Sequence, residues 1–136
     1  MTAYAWLAGA WVAILWFFTF GVARPLFAAF PRERAGEVTT ALFPTYFIAA
    51  TTLGVLASTV LWFRRRRPRD NYAFALQVLA LAALVVIPLF LRPAIAAHAP
   101  GTPEFARLHG ISMALNLFSL IAVPVASLVV LRSSKE

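Results

Sequence analysis

Cysteine is absent from this chain, so there is no disulfide, no thiolate ligand and no thiol nucleophile. Acids are scarce: five Asp and Glu stand against twelve Lys and Arg, and the net charge is +7. Two Met and two His leave little for a soft-metal site, and copper(I) prefers sulfur. Neither a glycine-rich phosphate loop nor a metal motif with ligand spacing occurs. A Ser-His-acid triad would need an acid near His109, where only the loop residues Glu33, Glu37 and Glu104 qualify. No acid lies inside an apolar run, which removes paired carboxylates and the usual midplane proton relay. The chain therefore shows no legible reaction and leans away from being an enzyme.

What it has is apolar length. Of 136 residues, 62% are hydrophobic, against about 45–50% in soluble domains. Residues 1–23, 38–63, 71–91 and 110–131 contain no Asp, Glu, Lys or Arg. A helix needs roughly 20 apolar residues to cross a hydrocarbon core, and these runs lack the two-residue alternation of barrel strands. The expectation is an all-α integral membrane four-helix bundle: one transmembrane domain, 1–136, with helices at about 3–23, 39–63, 71–91 and 106–131. The first run has no basic n-region and a poor cleavage site at Gly21-Val22-Ala23-Arg24-Pro25, so it reads as a retained helix.

Basic residues set the expected orientation. One side would hold Arg64, Arg65, Arg66, Arg67, Arg69, Arg132 and Lys135; the other would hold Arg24, Arg32, Arg34, Arg92 and Arg107 among acids. The dense run falls in a short connection, where the positive-inside rule is strongest. Both termini are expected in the cytoplasm of a bacterial inner (plasma) membrane. Arg64–Arg67 follows the interfacial pair Trp62-Phe63, which assigns it to anionic lipid headgroups rather than to nucleic acid.

The halves look alike. Arg24-Pro25-Leu26-Phe27-Ala28-Ala29-Phe30-Pro31 parallels Arg92-Pro93-Ala94-Ile95-Ala96-Ala97-His98-Ala99-Pro100, which suggests two duplicated helical hairpins about an axis along the membrane normal. Proline biases its predecessor away from helical geometry, so Arg24 and Arg92 should mark breaks in helices 1 and 3. They would either snorkel to the interface or hold an anion between two guanidinium forks. Within the returning helices, His109, Ser112, Asn116 and Ser119 share one helix face, and Tyr46 is the counterpart of Ser112. Interhelical hydrogen bonding and a ligand-lined cavity both account for this stripe. Small residues at Ala5/Gly9/Ala13 and Ala50/Gly54/Ser58 suggest tight packing, while Pro88 and Pro124 would free the carbonyls of Leu84 and Leu120.

Leu42-Phe43-Pro44-Thr45-Tyr46-Phe47, Pro31…Ala35-Gly36 and, above all, the segment Phe105-Ala106-Arg107-Leu108-His109-Gly110-Ile111-Ser112-Met113-Ala114-Leu115-Asn116 carry a resemblance. The chain resembles bacterial relatives of the eukaryotic transmembrane protein 205, a four-helix membrane family. More distantly it is similar to copper-resistance-D-like and haem-handling membrane proteins. The first likeness implies the four-helix fold and hints at metal-complex handling or trafficking; it implies no catalytic residues.

The reading is a protein that binds a small amphipathic or anionic ligand at the extracytoplasmic side through Arg24, Tyr46, Arg92, His109, Ser112 and Asn116, or serves as a small subunit of a membrane complex. Its expected partners are membrane lipids and either further copies of itself or a larger complex. One alternative is a haem-binding redox protein with His109 as the sole candidate metal ligand. Another is an oligomeric metal-complex or ion transporter.

Overall fold

The computed structural model describes residues 2–65 and 67–133. They form four helices, α1 (Thr2–Ala29), α2 (Arg32–Arg64), α3 (Pro68–Ala96) and α4 (Pro103–Ser133), with no strand among the described residues. Each is long and apolar enough to cross a membrane, and the chain is a multi-pass membrane protein built as an all-helical bundle. Arg66 and Lys135, two of the residues behind the orientation argument, lie outside the described residues.

Connections at 30–31, 65–67 and 97–102 are too short for anything but antiparallel neighbours. α1 packs on α2 and α4, and α3 packs on the same two helices, so the four close into a ring. The hairpin tips, α1–α2 and α3–α4, lie at one end, called the tip end below. The termini and the α2–α3 connection lie at the other, the base end. At the base end α3 starts cleanly: Pro68 enters its first turn and the Arg67 backbone N–H donates to Asp70 Oδ2 at 3.1 Å.

Helices 1 and 3 do not break at Arg-Pro. α1 runs six residues past the expected end at 23, and α3 five past 91. The device is a π-helical stretch just before each Arg-Pro, Phe17–Ala23 in α1 and Ile87–Leu91 in α3. Arg24 N–H donates to the Thr19 carbonyl and Arg92 N–H to that of Ile87, each five residues back. Widening the turn accommodates the proline ring and re-pairs groups that an α-helical register would strand in lipid. α2 likewise begins at Arg32, not near 39, because Pro31 sits at its N-cap.

On α1 the buried face is Tyr4, Ala8, Trp11 and Leu15, spaced i, i+4, i+7, i+11. Trp6, Phe17, Ile48, Phe90 and Leu117 are among the large side chains left exposed, as a lipid-facing surface requires. The two small-residue stripes part company. Ala50, Gly54 and Ser58 are buried, and a Cβ at Gly54 would come within 2.7 Å of Trp11 Cζ2. Gly9 and Ala13 are exposed, and a Cβ at Gly9 meets nothing within 4 Å, so the α1 stripe does not pack against the other helices of the chain.

Candidate functional site at the tip end

Two hydrogen bonds cross the bundle on its diagonals. Near the tip end, Tyr46 Oη of α2 donates to Asn116 Oδ1 of α4 at 3.3 Å, long for an O–H···O contact. Near the base end, Gln77 Nε2 of α3 donates to Tyr4 Oη of α1 at 2.6 Å. Adjacent helices are tied as well. Ser119 Oγ lies 3.3 Å from the Ala80 carbonyl and 3.1 Å from that of Leu115. Trp16 Nε1 donates to the Leu120 carbonyl at 3.1 Å. Leu120 is the residue whose carbonyl Pro124 deprives of its helical partner, so the indole of α1 takes the place of the missing N–H.

An aromatic wall surrounds the Tyr46–Asn116 pair. Phe18 of α1 stacks on Tyr46 with centroids 4.1 Å apart, and Phe43 lies 5.7 Å from Phe18. The guanidinium of Arg92 sits 4.7 Å over the Phe43 ring, half-buried, from α3. All four helices therefore contribute to one cluster: Phe18, Phe43 with Tyr46, Arg92, and Asn116. A cation on an aromatic face is favoured by the ring quadrupole, more strongly where water is excluded.

Not every expected residue joins it. Ser112 is half-buried, one turn from Asn116 toward the tip. His109 is exposed and stacks parallel on Phe105 of its own helix, 5.7 Å between centroids. Arg24 is exposed, so the two Arg-Pro arginines are not equivalent in burial. Trp11 is fully buried under Gly54, and Phe17 is 67% exposed. Among the described residues no three of His, Asp and Glu gather closely enough to hold a metal ion.

A family described as Domain of unknown function (DUF4149) matches residues 6–100. The chain belongs to this family. An uncharacterized protein of Aquifex aeolicus (strain VF5) is 31% identical over 106 residues, 77% of this chain and 76% of the relative. No solved structure matches. Neither finding carries the likeness to transmembrane protein 205 or to copper-resistance-D-like proteins. The DUF4149 match takes in Arg24, Phe43, Tyr46 and Arg92 and ends before α4, so His109, Ser112 and Asn116 lie beyond it.

Three contacts escaped the sequence reading of this DUF4149 chain. The Arg92–Phe43 contact joins residues from opposite halves, and only packing brings them together. The Phe18 platform has no polar signal to mark it. The Tyr4–Gln77 bond had a weak one: Gln77 is an amide inside the charge-free run 71–91, but nothing in the spacing names its partner.

Proposed function

We propose that this protein binds an anionic amphipathic ligand, a lipid or lipid-like molecule, at the tip end of the bundle. The observation that supports it is Arg92, a guanidinium held half-buried against Phe43 with a loosely bonded Tyr46–Asn116 pair deeper in the same aromatic cluster. An acidic head would meet Arg92 and its apolar chain would lie along the aromatic side chains. Ser112 extends the polar path toward the tip, and His109 and Arg24 serve as rim groups, outside the core of the site. Native mass spectrometry with added phosphatidylglycerol and phosphatidylcholine tests the reading. Phosphatidylglycerol should be retained preferentially, and Arg92→Ala should weaken it about tenfold, the scale of one charge-assisted hydrogen bond. Equal retention of both lipids, or an unchanged preference in Arg92→Ala, refutes it. A Soret band in the purified protein would replace it with the haem reading.

The tip end is assigned to the extracytoplasmic side of a bacterial inner membrane, because Arg64, Arg65, Arg67 and Arg69 lie at the base. Reporter fusions at Arg67 and Glu136 should report cytoplasm and one at Thr102 the opposite side; a reversed pattern inverts the assignment. The paired π-helical stretches before Arg24-Pro25 and Arg92-Pro93 support reading the hairpins as a duplicated unit. Removing the π register should rotate a helix end by about 100°, one residue's turn. Spin-label distances in Pro25→Ala and Pro93→Ala should therefore shift alike; a response from only one speaks against the duplication.

A further inference from the structure

Among the described residues, four buried side-chain polar atoms have no hydrogen-bond partner: Trp11 Nε1, Thr19 Oγ1, Ser58 Oγ and Gln77 Oε1. Buried polar groups in native proteins are nearly always paired, so each such atom calls for an explanation. Three of the four belong to residues at, or one helical turn from, the contact at Gly54. A Cβ at Gly54 would lie 2.9 Å from Leu81 Cδ1 and 2.9 Å from Trp11 Cε2, the ring carbon that bears Nε1. That contact sets Trp11 of α1, Gly54 of α2 and Leu81 of α3 at one level. Ser58 follows Gly54 by four residues and Gln77 precedes Leu81 by four. Because α2 and α3 are antiparallel, both lie one turn nearer the base end. Trp11 and Gln77 are fully buried and Ser58 is 6% exposed.

The chemistry of the three atoms is complementary. Gln77 Nε2 donates to Tyr4 Oη, which also contacts Ser127, whose hydroxyl donates to the Val123 carbonyl at 2.7 Å. This chain of donors runs away from Gln77 Oε1 and leaves it purely an acceptor. Trp11 Nε1 is purely a donor, and the Ser58 hydroxyl is both. Inverting the Gln77 amide would not remove the demand, since an NH2 group would then face the same region. A helical turn rises about 5.4 Å, close to the span of two hydrogen bonds of about 2.8 Å made through one molecule. The occupant must be small and must donate and accept at once.

We propose that α1, α2 and α3 enclose a water-binding niche on the base side of the Gly54 contact, where one water accepts from Trp11 Nε1, donates to Gln77 Oε1 and bonds Ser58 Oγ. Three partners is the usual number for a buried water. The niche ties three helices together through a molecule no sequence encodes, and it is independent of the Arg92 site.

Gln77 is the only glutamine in the chain, so selective 15N-glutamine labelling gives one side-chain amide signal. In micelles its protons should show a cross-peak to water, with the sign of a water that tumbles with the protein. The peak should survive Tyr4→Phe and Ser58→Ala, which remove hydroxyls able to relay exchange, and vanish in Ser58→Val, whose larger side chain fills the niche. Loss in Tyr4→Phe or Ser58→Ala would mean that a hydroxyl produced the signal, and the proposal falls. Persistence in Ser58→Val would place the water elsewhere and also overturns it. A wild-type protein with cross-peaks only to its own side chains refutes the niche without any variant.

Discussion

Gly54→Ala and Gly9→Ala are the same chemical change made in two opposite environments of one bundle. At Gly9 the new methyl meets nothing within 4 Å, so the gain is that of removing a helical glycine, about 0.5–1 kcal/mol. At Gly54 the methyl would sit 2.7 Å from Trp11 Cζ2, 2.9 Å from Trp11 Cε2 and 2.9 Å from Leu81 Cδ1. Carbon atoms pack at roughly 3.5–4.0 Å, so the indole must retreat by roughly 1 Å. Trp11 has no exposed surface, and Leu15, Tyr46, Phe47 and Leu84 belong to the same core cluster. Overpacking of this kind costs about 1–3 kcal/mol, and that penalty should separate the two variants. Unfolding in mixed micelles, followed by circular dichroism against denaturing detergent, measures the difference. Trp11→Leu should relieve the clash, so the two mutations at the contact should be non-additive by at least about 0.5 kcal/mol. Equal effects of Gly54→Ala and Gly9→Ala would refute the close approach of α1 to α2.

The remaining predictions concern the polar ties. Trp16→Phe should cost about 1 kcal/mol in the same assay by leaving the Leu120 carbonyl unpaired, and Pro124→Ala, which restores a backbone donor, should remove most of that cost. An unchanged penalty in the Pro124→Ala background would show that the indole bond does not compensate for the proline. Tyr46→Phe and Asn116→Leu should each cost about 0.6–1.7 kcal/mol, and the double variant no more than the larger single. Full additivity would mean that the two side chains act separately.

Four helices and their membrane character were legible in the sequence because lipid admits few solutions: a charge-free run of sufficient length must be a helix if it spans. Their ends were less legible. Proline rules learned from water predict a stop at Arg24-Pro25 and Arg92-Pro93, whereas in the bundle a one-residue widening of the turn satisfies the backbone and lets both helices continue. The candidate site divides in the same way. Asn116 and Tyr46 stood out as polar groups deep in apolar runs, and they do bond to each other. His109 and Arg24 share the tip end by count of residues, but their side chains remain exposed.

The sequence by itself determined composition, span number and which polar residues would need partners, since these follow from local length, charge and hydrogen-bonding capacity. Partner choice was decided by the tertiary structure. The ring order α1–α2–α3–α4 puts α1 opposite α3 and α2 opposite α4, and only that arrangement pairs Tyr4 with Gln77 and Tyr46 with Asn116. It also sorts two similar glycines, one under an indole and one facing lipid, and two similar Arg-Pro arginines, one over a phenyl ring and one exposed. Periodicity gives a residue its position along a helix and around it. Helix rotation within the ring fixes what it touches, and that is set by the fit of all four surfaces at once.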